Sequence, residues 1–156
     1  MFNNYNGSYQ HSNLNPRLLG SYTYRKIKTD FKREQFLYAD VDKKSLSNFI
    51  KICVSNCNLN IEKGRYLKLP IEQRICQLCH ADVEDEFYFF MNCDKLIHER
   101  VTLFRNISDI VHSFTTMSDV EMFMLLLTSH ELDICKVVIL GVSNMYLVNQ
   151  SMKQSL

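Results

Sequence analysis

The sequence predicts a mainly α-helical fold: a small helical domain with a Cys-x2-Cys turn, preceded by a disordered N-terminal arm. Three observations carry this expectation. Apolar residues recur at steps of three and four in several separate stretches, the spacing that lines one face of a helix. Ser118 and Glu121 stand three apart just before Met122, Phe123, Leu125, Leu126 and Leu127, the spacing of a helix capping box. Residues 1–20, by contrast, show no periodicity and are rich in Asn, with Gly7 and Pro16 as breakers.

Composition supports a folded chain. The 156 residues are 46% apolar, with ten Phe, eight Tyr and no Trp, which excludes disordered and fibrous classes and implies an aromatic-rich core. Met1 to Gly20 has no basic stretch leading into an apolar run, so secretion is not expected. The longest nearly unbroken apolar segment, Val137 to Val142, is far shorter than the roughly 20 residues that span a bilayer, so no membrane partner is expected. Six cysteines without a signal peptide fit a reducing, intracellular setting, nucleus or cytoplasm, where clustered thiols more often bind metal than form bridges.

The net charge of +1 hides an asymmetry. Residues 1–75 hold 13 Lys and Arg against 6 Asp and Glu, net +7, whereas residues 76–156 hold 5 against 11, net −6. A basic half attracts polyanions through phosphate contacts and counterion release, so RNA or DNA is the expected partner class. Complementary faces of one domain, or plainly solvated charge, would give the same count.

In chain order, Ser21 to Asp42 interleaves cations with aromatics: Tyr22, Tyr24, Arg25, Lys26, Lys28, Phe31, Lys32, Arg33, Phe36 and Tyr38. Such a mixture suits a strand-tracking surface, because bases stack on rings while Lys and Arg hold phosphates. A helix burying Phe31, Leu37 and Tyr38 would read the same way. Asp42 is a cap for a helix through Leu46, Phe49, Ile50 and Cys53. Asn56 to Arg74, with scattered Asn, Gly64 and Pro70, reads as a structured connection. Ile97, Val101, Phe104, Ile107, Val111 and Phe114 predict an amphipathic helix that breaks near Asn106 to Ser108. After the capping box, a last long helix runs from about Glu131 to Gln150, burying Ile134, Val138, Val142 and Met145. The expected division is an arm over 1–20, a basic helical and connecting region over 21–75, a finger-like module over 76–105 and a helical region over 106–156.

Chemistry concentrates at the cysteines. Cys76 and Cys79 have the spacing that lets two thiolates hold one tetrahedral ion from a tight turn, and Cys93 follows after 13 residues. The fourth ligand is open among His98, Cys57, His80 and solvent. His98 is favoured because it completes Cys-x2-Cys-x13-Cys-x4-His, a Cys3His set suited to zinc, whereas His80 adjoins Cys79 and has difficulty closing a separate corner. A thioredoxin-like redox pair would need a βαβ context, which is missing. Three buried free thiols remain the alternative without metal.

The stretch from Cys57 to Arg100 then becomes recognisable. It carries Cys57-Asn58-Leu59-Asn60-Ile61-Glu62-Lys63-Gly64-Arg65-Tyr66, then Arg74-Ile75-Cys76-Gln77-Leu78-Cys79, then Val83-Glu84-Asp85-Glu86 leading into Cys93. This resembles the zinc-finger region C-terminal to the polymerase in non-LTR, LINE-like retroelement reverse transcriptases. Looser similarity runs from about Arg25 to about residue 150. The resemblance implies a zinc-binding accessory module with a Cys-Cys-His-Cys ligand set. The family's His ligand, however, is Tyr88 here, its earlier His is Cys57, and the Pro after the last cysteine is Asp94.

No Tyr-x-Asp-Asp, Walker loop, Gly-x-Ser-x-Gly or His-Glu-x-x-His occurs, so a non-catalytic chain is expected. Glu84, Asp85 and Glu86 read as acids complementing a helix start. Phe87 to Met91 reads as core, and Glu62 with Arg65 as a local ion pair. Arg65 joins Arg25, Lys26, Lys28, Lys32 and Arg33 as a candidate phosphate contact. The functional expectation is a zinc-stabilised module contacting RNA or DNA backbone. The alternative is a helical protein-interaction domain or nonfunctional remnant with a structural or vestigial metal site.

Overall fold

The structure is a computed structural model that describes residues 33–156. The expected arm over 1–20 and the candidate phosphate contacts Arg25, Lys26, Lys28 and Lys32 lie outside the described residues. Among the described residues there are six α-helices and no strand, so the mainly α fold class holds. The helices are α1 (Lys43–Cys53), α2 (Asn60–Tyr66), α3 (Glu86–Met91), α4 (Ile97–Ser108), α5 (Asp119–Thr128) and α6 (Leu132–Gln154).

Local signals account for three of the six helix starts among the described residues. Asp42 accepts the Ser45 amide at 2.9 Å and opens α1, satisfying a backbone donor that has no partner within the helix. Ser118 and Glu121 form the expected reciprocal capping box at α5. Asp85 accepts the Tyr88 amide at 2.7 Å and opens α3.

The core is built around α6, against which α1 and α4 pack. Ile134, Val138, Val142 and Met145 are buried on α6 as the spacing predicts. Gly141 permits the closest approach of α4, since a side chain there would meet Leu103 Cδ1 at 2.6 Å. Buried Asn48 donates to Ser143 at 3.0 Å, fixing α1 against α6 with a satisfied polar contact. By length and composition alone α6 is apolar enough to cross a bilayer, a property that the short Val137 to Val142 run did not reveal. In this fold one side of the helix is buried, while Leu132, Leu140, Leu147 and Met152 are exposed.

Several elements differ from expectation. Gln35–Tyr38 is a single 3-10 turn that buries Phe36 against Phe49, ring centroids 5.3 Å apart, and leaves Leu37 and Tyr38 exposed. The connecting region contains a helix, α2, because Leu59 and Ile61 anchor it in the core despite the surrounding Asn residues. Helix α4 ends at Ser108, where the break was expected, but its buried side is Arg100, Leu103 and Ile107, and Ile97 and Val101 face solvent. Phe114 reaches the core from a separate 3-10 turn, edge-on to Phe104 at 5.2 Å.

Candidate metal centre

The centre begins with a short hairpin. Ile75 and Val83 pair as an isolated antiparallel bridge, and the Cys76 amide donates to the Asp82 carbonyl at 2.9 Å. Within the turn the His80 amide returns to the Cys76 carbonyl at 3.0 Å, with His80 in the left-handed region at φ 55°. This curl brings Cys76 and Cys79 to the same side.

Cys93 arrives from the end of α3. Tyr88, Phe89, Phe90 and Met91 are buried, and Phe90 and Phe87 contact Phe123 of α5 with centroids 5.5 and 5.2 Å apart. Packing of this aromatic helix onto α5 fixes where the following loop emerges. The Cys93 amide donates to the Tyr88 carbonyl at 2.9 Å. Arg100, buried on α4, donates to the Phe90 carbonyl at 2.7 Å and the Cys93 carbonyl at 2.6 Å. One guanidinium thus holds the end of α3 and the third cysteine together.

The three sulfurs converge. Cys76 and Cys93 Sγ are 3.9 Å apart, Cys93 and Cys79 Sγ are 4.0 Å apart, and all three lie within 4.8 Å of one another. The group could hold a metal ion, since three soft thiols at mutual van der Waals distance converge on a common centre. All six cysteines of the chain are free. The hydrogen bond between Cys76 and Cys93 splits their acidities, raising Cys76, with burial adding to the rise, and lowering Cys93.

His98 is not part of this group, which corrects the expected fourth ligand. It lies exposed in the first turn of α4. Arg100 turns that helix toward the cysteine loop, and a residue two positions away points about 200° around the axis, so His98 faces outward. Cys57 is part-buried and also outside the group; burial, with Glu86 nearby, pushes its thiol up to about 12. The position beside the sulfurs belongs to Tyr88, whose hydroxyl is 2.8 Å from Cys79 Sγ. Burial, reinforced by that hydrogen bond, raises the phenol well above its ordinary value and keeps it neutral.

Glu84, expected from the sequence to complement a helix start, is a buried hub. Its carboxylate oxygens are each 2.7 Å from Lys153 Nζ near the end of α6, and one accepts the Asn60 amide at the start of α2 at 2.8 Å. Asn149 donates to the other oxygen, Oε1, at 3.3 Å, and Cys76 Sγ approaches that same Oε1 at 3.7 Å. The hub joins the cysteine hairpin to α2 and α6. Its partners, Lys153 and Asn149, lie over 60 residues downstream in the chain, and no local pattern announces them.

Of the remaining candidate phosphate contacts, Arg33 is exposed and donates to the Tyr38 hydroxyl at 3.4 Å. Arg65 Nη2 is 2.6 Å from Glu62 Oε2, the expected local ion pair. Gly64 lies inside α2 rather than in a turn, and its missing side chain leaves room for Arg74, whose Cγ would clash with a Cβ there. Comparison of the chain with protein-family models, with curated proteins and with solved structures gives no match.

Proposed function

We propose that this chain is a non-catalytic, retroelement-derived accessory module that binds zinc through Cys76, Cys79 and Cys93 and contacts RNA or DNA backbone. The observation that carries the metal identity is the sulfur spacing. Thiolates about 2.3 Å from a tetrahedral zinc stand roughly 3.8 Å apart, close to the 3.9 and 4.0 Å separations of these sulfurs. Three sulfurs also favour zinc over hard cations, which prefer oxygen. The ion would fix the hairpin and the end of α3 as one unit. The nucleic-acid part of the reading rests on the net +7 of residues 1–75 and on the resemblance of Cys57 to Arg100 described above.

Tyr88 favours a second reading, a helical protein-interaction domain or remnant whose metal site is structural or vestigial, because a neutral phenol is a poor zinc ligand. Two measurements on purified protein test the proposal. Metal analysis with thiol counting should find zinc bound to three protected cysteines. Binding to RNA and DNA should weaken steeply with added salt, in proportion to the phosphates neutralised. Affinity indifferent to salt, or no binding at low salt, supports the second reading.

A further inference from the structure

Two of the most exposed large apolar residues stand side by side where α2 ends and the following loop begins. Tyr66 is 76% exposed and Leu67 69%, with Ile71 following at 45%. A side chain left in water by a folded domain usually has a partner when its neighbours are exposed too. These apolar side chains sit among cations, Lys63, Arg65 and Lys68, and the stretch 63–71 contains no acid.

The loop is a built structure rather than a loose connection. Half-buried against Gly64, Arg74 donates to the Leu69 carbonyl at 3.0 and 2.8 Å and to the Ile61 carbonyl at 2.9 Å. The Leu69 amide donates to the Gly64 carbonyl at 2.8 Å, and Lys68 makes the reversal in the left-handed region at φ 55°. Ile75 and Cys76 follow directly, so the same arginine that shapes the loop leads into the cysteine hairpin. Within α2, Glu62 holds the Arg65 guanidinium, whose carbon stands 5.2 Å from the centroid of the Tyr66 ring. One face of the ring is thereby backed by a fixed cation, and most of the side chain stays in solvent.

We infer that this loop is a stacking platform for an unpaired base of single-stranded nucleic acid, with Tyr66 beneath the base and Lys63, Arg65 and Lys68 along the adjoining phosphates. The inference rests on the nucleic-acid reading above and gives it a location. A cation-backed aromatic ring surrounded by positive charge is how sequence-tolerant single-strand surfaces are made, because every base has a π-face. A duplex cannot use it, since its bases are already stacked on one another. Charge decides between partners: Glu62 offsets Arg65, but Lys63 and Lys68 leave the surroundings of the ring net positive, which complements a phosphate chain.

The test uses the whole chain, a short labelled oligo-dT strand and a duplex of equal length. Tyr66→Ala should weaken strand binding by roughly ten-fold or more and leave duplex binding unchanged, whereas Tyr66→Phe should bind like the parent. Lys68→Ala should reduce the steepness of the salt dependence by about one phosphate contact. The ring is exposed, so an unchanged melting temperature is expected for all three variants. If Tyr66→Ala binds the strand as tightly as the parent, with salt dependence intact, the platform is refuted while the nucleic-acid reading stands. If the parent binds neither strand nor duplex at low salt, both fall. Binding to anionic vesicles that is lost in Leu67→Ser and Ile71→Ser, without strand binding, would assign the loop to a lipid surface and overturn the inference.

Discussion

The Tyr88 hydroxyl lies 2.8 Å from Cys79 Sγ, one of the three converging sulfurs. The same residue's carbonyl accepts the Cys93 amide, so its backbone positions one cysteine while its side chain contacts another. An imidazole placed there would offer a neutral nitrogen donor where the phenol offers a poor one.

Tyr88→His should therefore raise zinc affinity, by roughly ten-fold or more, an effect at least as large as that of partners outside the ligand shell. Tyr88→Phe should lower it by removing the hydroxyl contact to Cys79. Competition against a chromophoric chelator reads both. A weaker Tyr88→His protein would mean that position 88 does not face the ion.

Much of this fold was legible because its signals are local. Asp42, Asp85 and the Ser118 and Glu121 pair mark helix starts through contacts spanning only three residues, and the α6 core positions follow helical spacing. The three cysteines were legible for the same reason, since a Cys-x2-Cys turn reports its own geometry. What escaped depends on distant partners. His98 has acceptable spacing to Cys93, but the orientation of α4 is set by Arg100 gripping two carbonyls, which no spacing rule contains. Helix α2 was hidden because its stability comes from burying Leu59 and Ile61 and from the Glu84 hub, against the turn-forming character of its neighbours.

The Glu84 and Lys153 pair couples the cysteine hairpin to the last turns of α6 from almost complete burial, with the side chains 1% and 4% exposed. Removing one partner leaves a buried charge without compensation, which costs about 3–5 kcal/mol. Lys153→Met should show that loss in chemical denaturation, together with weaker metal binding through Cys76. Lys153→Met combined with Glu84→Gln should recover part of the stability, because the orphaned charge is gone. Equal losses in the single and double variants would show that the pair acts only through packing.

His80 adopts a left-handed backbone at φ 55°, a conformation that costs a non-glycine residue about 1–2 kcal/mol. It is exposed and outside the sulfur group, so its side chain supplies neither a ligand nor packing. His80→Gly should keep zinc affinity and hold or raise stability, while His80→Val should lose about 1–2 kcal/mol by straining the turn. A fall in zinc affinity for His80→Gly would instead identify the imidazole as a ligand.

Glu86 makes stability depend on pH. It is 3% exposed at the start of α3, with Ser55 donating to Oε1 at 2.7 Å and Oε2 lacking a hydrogen-bond partner. Burial is the main cause that raises its carboxyl from 4.5 to about 7; Ser55 opposes the rise, and Asp85 and Glu62 add like charge that reinforces it. The buried thiols of Cys53 and Cys57 lie close enough to feel the same carboxylate, and no cation is among the causes of its shift. The fold therefore prefers the protonated acid. Its contribution is fully present below the unfolded value near 4.5 and is lost as pH rises through about 7, a change on the order of 3 kcal/mol by the usual conversion of pKa shifts. Glu86→Gln imitates the protonated form and should remove this slope. Denaturation from pH 5 to pH 8 should thus find the two proteins converging at the acid end and Glu86→Gln more stable at the alkaline end. Cys53 and Cys57 are both raised far above this pH range by burial and stay protonated throughout it, so the difference between the curves isolates Glu86. Parallel curves across the range would show that position 86 is charged throughout and has found a partner for its second oxygen.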